Sequence, residues 1–423
     1  MNVANLRPFP AHFVLQDLTA ITGPVFELKK NARQEEAYRY VKQWFKDLQV
    51  YPEPEERRFL SHAFDLYAGL SFPDADVQHL ETCISFVLWA FSFDDLSDEG
   101  EYQSKPERVQ VGVDISMEVL NNPELPAPKF KYAAMLHDIW RRVRSTASPG
   151  ACNRFKKAVE SWMNSQVEQA GNTVPSLDEF INLRRRTTGG EMVEAMVEYS
   201  LDITVPEHVW DHPILVGLSK AAIDIMTWPN DLCSFNKEQS DNDSQNLVFC
   251  VMLERDVGLQ HAVDIVTTML ADRVKEYVKL KAQLPSFGEE VDSELRRYFI
   301  AFEHYVQGVI VWLYNPSRYF RGMDVTNKKA MIMPIYPRAE DAVVSAATRT
   351  RAVNKPIRTR PKTRRYSNDF GSFLRPLFTP MYCFSFPLIL TLYIAYSLVH
   401  LPSFLACFAA CDSFLYSAPL PPS

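Results

Sequence analysis

The hydrophobic positions between residues 31 and 314 recur at the three- and four-residue spacings of helices that bury one face. No segment of the chain shows a convincing apolar–polar alternation typical of a half-buried strand. The stretch before residue 31 contains prolines and shows no clear period, so we predict irregular structure there. The pattern predicts helices over residues 31–48, 55–70, 74–94, 109–120, 129–145, 151–170, 179–187, 191–201, 213–235, 262–284 and 291–314.

The helical region is predicted to form one all-α domain. The chain has 14 glycines in 423 residues, and it shows neither an internal repeat nor a glycine-rich phosphate loop. Hydrophobic residues make up 47% of the chain, which is enough for a sizeable core. We therefore predict a single-domain helical bundle over residues 1–325.

The character of the sequence changes after this domain. Residues 326–423 hold 12 Lys and Arg against 4 Asp and Glu, whereas the preceding residues hold 33 against 48. We predict a basic, disordered linker over residues 326–375 and an apolar tail over residues 376–423. The uncharged stretch 376–411 is long enough to cross a membrane, although three prolines interrupt it. The tail is interpreted either as a membrane anchor or as a non-homologous extension.

Charge and cysteine usage narrow the classes of function. The predicted domain is acidic, and an acidic body is a poor nucleic-acid binder, so we expect no nucleic-acid partner. The chain has seven cysteines and no CxxC pair, which indicates neither a disulfide framework nor a zinc site. The N-terminal residues show no secretory signal. We expect a cytoplasmic protein, a monomer or homodimer, with membrane contact limited to residues 376–411.

An acidic cluster follows an uncharged helical run at residues 83–90. Asp94 and Asp98 are four residues apart and share one helical face. Like charges at that spacing repel each other, so helix stability alone does not account for them. Mg²⁺ prefers carboxylate oxygens. The cluster is therefore either a solvated helix end or half of a metal site, with Asp94 at the inner position, Asp98 one turn further out and Asp95 pointing away.

A second polar array lies at the end of another long apolar helix. Asn230, Ser234 and Glu238 recur every four residues, so one helical face presents an amide oxygen, a hydroxyl and a carboxylate. All three are oxygen ligands suited to Mg²⁺. Lys237 lies beside them as a cation within reach of a phosphate. Pro229 predicts a kink just before the array, because it cannot donate the helical hydrogen bond.

These two arrays resemble the motifs of a known family. Asp94-Asp95-Leu96-Ser97-Asp98 resembles the DDxxD motif of class I terpene synthases. Asn230, Ser234 and Glu238 resemble the NSE motif of the same family. A chain-elongating prenyltransferase would have a second DDxxD motif where this chain has the NSE array.

Two further features agree with this resemblance. Arg184 lies in the stretch LRRRTTG, 46 residues before Asn230, and resembles the diphosphate-sensing arginine of the family. The pair Arg318-Tyr319, 88 residues after Asn230, resembles the family's C-terminal RY pair, and Trp312 precedes it. The likeness covers about residues 10–322. The pattern of motifs resembles that of fungal, mushroom-type sesquiterpene synthases.

The resemblance implies a class I terpenoid synthase-like helical bundle around a central active-site cavity. It implies an enzyme that ionises farnesyl diphosphate with three Mg²⁺, cyclises the carbocation to a sesquiterpene and releases diphosphate. The implied metal ligands are Asp94, Asp98, Asn230, Ser234 and Glu238. The implied catalytic residues are Asp94, Arg184, Arg318 and Tyr319. The implied substrate-binding residues are Arg184, Lys237, Arg318, Tyr319, Phe91 and Trp312.

Other functions stay open at this stage. The alternatives are a catalytically silent all-α binding protein anchored to a membrane by its tail, an enzyme using a prenyl diphosphate of another length, and a prenyl diphosphate phosphatase. The terpene product and the initial cyclisation mode depend on the contour of the pocket, which the sequence does not specify. Phe91 and Trp312 have a competing interpretation as ordinary core aromatics.

Overall fold

The computed structural model describes residues 7–98, 105–169, 175–315, 317–325 and 330–338, all within one compact unit. Its strands are β1 (His12–Gln16) and β2 (Ala330–Pro334). Its helices are α1 (Leu18–Thr22), α2 (Gln34–Leu48), α3 (Glu53–Leu60), α4 (Phe64–Ser71), α5 (Val77–Asp98), α6 (Pro106–Asn121), α7 (Lys131–Thr146), α8 (Pro149–Gln169), α9 (Leu177–Thr187), α10 (Gly190–Ser200), α11 (Glu207–Trp210), α12 (Pro213–Ser240), α13 (Leu247–Glu254), α14 (Leu259–Lys281) and α15 (Glu289–Leu313).

The predicted helical bundle is confirmed, with local differences. The helix predicted over residues 55–70 is two helices, α3 and α4, because Ala63 adopts a positive φ of 55° and ends the regular turn. Helix α13 was not predicted, because it is buried on nearly every side and its sequence therefore has no polar face. Helix α12 runs unbroken through Pro229 to Ser240, so the predicted kink does not interrupt it.

A two-stranded antiparallel sheet adds to the predicted all-α domain. Strand β1 pairs with β2 over the full length of both, from His12 opposite Pro334 to Gln16 opposite Ala330. The absence of strands and the irregular N-terminal stretch were therefore wrong predictions over these residues. Five residues give too short an alternation to recognise, and the pairing joins segments more than 300 positions apart. The packed body also continues past the boundary predicted at residue 325.

Most of the core surrounds a cavity at the centre of the bundle. Helix α12 packs against α14 and α15, while α5 packs against α2, α4 and α7. Helix α10 contacts both α5 and α12, and the two helices that carry the oxygen-rich motifs line the same cavity. Side chains from α4, α5, α8, α9, α10, α12 and α15 line the cavity.

No helix within the described ranges is long and apolar enough to cross a membrane. The apolar stretch 376–411 and most of the basic linker predicted over 326–375 lie outside the described residues. Only residues 330–338 of the predicted linker are described, and they belong to the packed body through β2.

Candidate active site

The central cavity has a charged mouth and an apolar interior. It encloses about 1340 Å³, counting open solvent at the mouth. Its interior is lined mainly by aromatic and aliphatic side chains, which are Phe86, Val87, Ala90, Phe91, Trp162, Met192, Val193, Met226, Val309, Trp312 and Leu313. Its mouth carries the ionic and polar residues Asp94, Asp95, Arg184, Asn230, Lys237, Glu238, Asp241, Asp243, Arg318 and Tyr319. The mouth carries five carboxylates and three cationic side chains, so a ligand with an anionic head would bind there together with cations, with its hydrocarbon body in the interior.

The first rim of the mouth is the C-terminal part of α5. Asp94 and Asp95 both line the cavity and are half-buried. The expectation that Asp95 points away is wrong, because its Oδ1 accepts a hydrogen bond from the Arg318 guanidinium at 3.4 Å. Asp98 is the last residue of α5, and its side chain lies outside the described part of the chain. Its role as a metal ligand stays a prediction.

The second rim is the last three turns of α12. Asn230, Lys237 and Glu238 line the cavity. Ser234 lies between them, with 1% of its surface exposed. Its hydroxyl oxygen is buried without a hydrogen-bond partner among the described residues. A buried hydroxyl without a partner is costly, and an oxygen that serves as a metal ligand would remove that cost.

Arg184 lies in the last turn of α9, beside the second rim. This helix begins with a capping box, in which the side chains of Ser176 and Glu179 cap each other's backbone amides, and it ends at Thr187. Gly189 then takes a left-handed φ of 71°, which lets the chain turn sharply into α10. The last turn of α9 is thereby fixed against the bundle, and the side chain of Arg184 projects into the cavity.

The guanidinium of Arg184 contacts two neighbouring residues of α12. It donates to the Asn230 side-chain oxygen at 2.8 Å and to Asp231 Oδ1 at 3.0 Å. Burial alone would lower the pKa of Arg184, but the carboxylates of Asp231 and Glu238, and more weakly Asp94, raise it above its usual value. Carboxylates of both rims therefore stabilise the charged form of Arg184.

The pair Arg318-Tyr319 spans the two rims. Arg318 lies over the ring of Phe91, with 5.1 Å between its Cζ and the ring centroid, and donates to Asp95. The Tyr319 hydroxyl accepts hydrogen bonds from Asn230 Nδ2 at 3.0 Å and from Arg318 Nε at 3.1 Å. One dipeptide thus connects α5 with α12 across the mouth of the cavity.

Trp312 and Phe91 lie just beneath this bridge. The Trp312 indole N–H donates to the carbonyls of His62 and Ala63, which fixes the ring against the cavity wall. Phe91 packs 5.4 Å from Trp312 between ring centroids. Both side chains line the cavity; Trp312 belongs to the buried core and Phe91 packs against it. The functional and the structural interpretations of these residues therefore coexist.

Glu238 is held in an unfavourable electrostatic position. Burial raises its pKa to about 7, and the carboxylates of Asp243 and Asp231 act in the same direction. Arg184 and a hydrogen bond from the Asn246 side chain oppose this rise. A carboxylate with these neighbours has an excess of negative charge around it, which a bound cation would compensate.

The donor set fits a hard divalent cation. No three His, Cys, Asp or Glu side chains within the described ranges are already grouped as a metal cage. The candidate ligands are instead oxygens only, divided between two helices, and they include the hydroxyl of Ser234 without a protein partner. Mg²⁺ commonly binds in this way, with one or two protein carboxylates and with substrate phosphates and water as further ligands.

Several residues of the site were not predicted as site residues. Asp231 directly follows Asn230 but was given no role, although it is fully buried and pairs with Arg184. Asn246 contacts Glu238 across a loop, and Asp243 lines the mouth from the same loop. Tyr67 enters the cavity from α4. Asp243 and Asn246 lie between α12 and α13, and their contacts depend on where α13 begins.

Comparisons with known proteins agree with this geometry. Residues 85–276 match the family described as terpene synthase family 2, C-terminal metal binding. Sesquiterpene synthase Agr1 from Cyclocybe aegerita is 30% identical over 330 residues, which cover 77% of this chain and 93% of that protein. The alpha-muurolene synthase of Coprinopsis cinerea is 28% identical over 326 residues, which cover 74% of this chain and 75% of the other.

Solved structures support the fold. The SVS_A2 protein from ancestral sequence reconstruction aligns with a TM-score of 0.63 at 24% identity, covering 74% of this chain and 90% of that one. Germacradien-4-ol synthase from Streptomyces citricolor aligns with a TM-score of 0.62 at 21% identity, covering 68% and 96%. With the likeness to Agr1 spanning nearly the whole of that relative, the chain belongs to the class I terpene synthases, within the fungal sesquiterpene synthases.

Proposed function

We propose that this protein ionises farnesyl diphosphate with Mg²⁺, cyclises the resulting carbocation to a sesquiterpene and releases diphosphate. The observation that carries the proposal is one cavity with two oxygen-rich rims on separate helices, arginines at its mouth and an apolar interior. Membership of the family makes the protein a lyase acting on prenyl diphosphates; the length of the substrate and the identity of the metal belong to the proposal.

The metal would be held by both rims. Asp94 and Asp98 would supply ligands from α5, and Asn230, Ser234 and Glu238 would supply ligands from α12. When bound, Mg²⁺ supplies positive charge that stabilises the leaving diphosphate. The family resemblance leads us to expect three such ions.

The cationic side chains would bind the diphosphate oxygens. Arg184, Arg318 and Lys237 line the mouth together with the hydroxyl of Tyr319. Arginine offers forked donors that suit phosphate oxygens. Arg184 and Arg318 already have carboxylate partners in Asp231 and Asp95, so their positions are fixed before substrate arrives. Fixed donors of this kind stabilise developing negative charge without reorganising.

The interior would protect the carbocation. Aromatic rings at Phe91 and Trp312 present negative π faces that attract a cation. The aliphatic residues around them offer no nucleophile and exclude water. A hydrocarbon chain folded against these walls would cyclise before it meets solvent, and the contour of the walls would select the product.

Incubation of the purified full-length protein tests the proposal. Geranyl, farnesyl and geranylgeranyl diphosphates are supplied in turn with Mg²⁺, and products are followed by gas chromatography and by diphosphate release. We expect a cyclic sesquiterpene from farnesyl diphosphate, and its loss in Asp94→Asn but not in Asp47→Asn, an exposed position of α2. Formation of the prenyl alcohol alone would identify a phosphatase, and the absence of any cyclic terpene would overturn the proposal.

The cytoplasmic location, the monomeric or homodimeric state and membrane contact through residues 376–411 stay predictions from the sequence. Cell fractionation of the full-length chain and of a chain ending at Arg338 would test the membrane contact. The oligomeric state would follow from light scattering of the purified protein.

A further inference from the structure

Asn246 lies between α12 and α13 and is completely buried. Its side-chain nitrogen donates to Glu238 Oε2 at 2.8 Å and to the backbone carbonyl of Asp231 at 2.7 Å. Its side-chain oxygen accepts from the backbone N–H of Val248 at 2.8 Å, which caps the start of α13. The two ends of one amide therefore serve two different purposes, and they can be separated by substitution.

The start of α13 also approaches the partner of Arg184. The backbone N–H of Leu247 lies 3.4 Å from Asp231 Oδ2, while Oδ1 of the same carboxylate receives Arg184. A helix N-terminus carries partial positive charge, which favours carboxylates placed there. Residues 246 and 247 thus contact two acidic side chains two turns apart on α12: Glu238 in the second metal rim and Asp231 against Arg184.

We propose that Asn246 is a positioning residue, which fixes the orientation of the Glu238 carboxylate and thereby sets the affinity of the protein for its divalent cation. The inference rests on the proposed function, because it assigns Glu238 to the metal site. Hydrogen bonds from outer residues orient metal-binding carboxylates, and their loss commonly weakens metal binding by about 10- to 100-fold. Without the amide donor, Glu238 would be free to turn toward Arg184, whose charge attracts it.

The matched variant is Asn246→Ser in the full-length chain. Serine caps a helix about as well as asparagine, so α13 keeps its cap. Its shorter side chain does not reach Glu238, so the donor is lost and no charge is added. Asn31→Ser is the control, because Asn31 is also buried and donates to two backbone carbonyls, those of Phe72 and Ala75, at 2.9 and 2.8 Å.

The measurement is the dissociation constant for Mn²⁺, followed by electron paramagnetic resonance with inorganic diphosphate present and without prenyl substrate. We expect Asn246→Ser to raise this constant roughly tenfold or more. Its melting temperature should fall about as far as that of Asn31→Ser, because each substitution removes two hydrogen bonds donated by a buried amide. Asn31→Ser should lower the melting temperature and leave the constant unchanged. The Mg²⁺ concentration for half-maximal diphosphate release should rise with the same ratio, while kcat at saturating Mg²⁺ changes less.

A second pair of variants shows whether Asn246 acts through Glu238. Adding Asn246→Ser to Glu238→Gln should not weaken Mn²⁺ binding further, because the group to be oriented is already gone. An additional tenfold loss in that background would overturn the inference, and so would an unchanged dissociation constant in the folded single variant.

The remaining outcomes are also decisive. If Asn246→Ser does not fold, Asn246→Gly preserves most of the capping stability, and failure of both to fold would assign Asn246 a structural role and overturn the inference. If the parent protein binds no Mn²⁺ in the presence of diphosphate, both the proposed function and the inference on Asn246 are overturned. Parent binding with no effect of the substitution leaves the proposed function intact and overturns the inference alone.

Discussion

Individual charges in this protein are paired before any ligand binds. Asp231 has no exposed surface, and its carboxylate holds the guanidinium of Arg184, 2.9 Å away at the closest approach. Arg318 is held in the same way by Asp95 at 3.4 Å. A buried charge without a partner is expensive, so these pairs allow arginines to stand at an apolar cavity. They also restrict each arginine to one orientation, which favours binding of an anion placed between them.

Glu194 is a half-buried carboxyl group outside the central cavity, and it gives a test of electrostatics at one residue. It accepts from the Ser219 hydroxyl at 2.8 Å and lines a second, smaller cavity that also contains Glu191, Arg154 and Lys157. Burial raises the pKa of Glu194 to about 8, and the carboxylate of Glu191 adds to the rise. The folded protein therefore keeps a proton that the unfolded chain releases.

We predict that Glu194→Gln stabilises the protein increasingly as the pH rises. Below the ordinary pKa of 4.5 both states are protonated, so Glu194 costs little. Between that value and about 8 the unfolded state binds fewer protons, and the parent loses stability by on the order of 1 kcal/mol per pH unit. Urea unfolding at pH 5 and pH 8 measures the difference. Glu35→Gln, at an exposed position of α2, is the control, and an equal effect of Glu194→Gln at both pH values would contradict the prediction.

At the scale of elements, the end of α12 is held from behind by β2 and the residues after it. Asn236 donates to the carbonyl of Pro334 at 2.7 Å and accepts from the backbone N–H of Tyr336 at 2.9 Å. Gln239 donates to the carbonyl of Tyr336 at 2.7 Å. These two amides lie among the turns that present Lys237 and Glu238 to the cavity. The strand therefore supports one rim of the site.

A chain ending at Val325 should be markedly less stable than a chain ending at Arg338. The shorter chain leaves Asn236 and Gln239 without their partners and removes Met331 and Met333 from the core. We expect a loss of more than about 3 kcal/mol of unfolding free energy, together with weaker diphosphate release. Thermal and urea unfolding of both chains measure the difference. Equal stability of the two would show that β2 contributes nothing to the body.

Helices α9, α12 and α14 are joined by one buried carboxylate. Asp224 is 1% exposed. Its carboxylate accepts a hydrogen bond from Arg185 Nε at 2.8 Å and forms an ion pair with Arg273 at 2.8 Å. Arg185 directly follows Arg184 in α9, so this clamp fixes the outer side of the turn whose inner side faces the cavity.

We predict that Asp224→Asn costs about 3 kcal/mol of stability, because it leaves two arginines without their counter-charge. Urea unfolding measures the loss. Asp272→Asn is a matched control, because Asp272 lines the same surface groove as Asp224 but is exposed and pairs with Lys275. Its effect should stay within about 0.5 kcal/mol. An equal loss of unfolding free energy in both variants would mean that the buried ion pairs of Asp224 contribute no more to stability than a surface ion pair.

For the whole molecule, the sequence predicts the helices and the motifs that lie within single helices, but not the contacts between distant segments. The helical fold follows from the 3.6-residue period, and the oxygen arrays at Asp94 and Asn230 follow from four-residue spacing along single helices. The partner of Asp95 lies 223 positions away, and β1 pairs with a strand more than 300 positions away. Such contacts depend on how complete elements pack, and no short pattern contains them. Asn246 is an intermediate case, because its capping position is local but its contact with Glu238 requires the fold of the loop.

The two rims also make a prediction about the whole molecule. Because the rim carboxylates and the mouth arginines belong to different segments of the chain, a cation and an anion bound together should stabilise the folded state more than either alone. A ligand at 100 times its dissociation constant adds about 2.7 kcal/mol, which corresponds to a rise of a few degrees in melting temperature. We expect Mg²⁺ with inorganic diphosphate to produce this rise, and each alone to produce less.

Thermal unfolding with Mg²⁺, diphosphate, both, and both with a chelator measures the coupling. The chelator should abolish the combined effect, and Glu238→Gln should reduce it because one rim then lacks its carboxylate. Mg²⁺ with sulfate is the control for a general effect of salt. If the separate shifts simply add, or if Glu238→Gln responds as the parent does, the two rims do not share a ligand. A shift greater than the sum would mean that α5 and α12 bind one metal–diphosphate assembly between them.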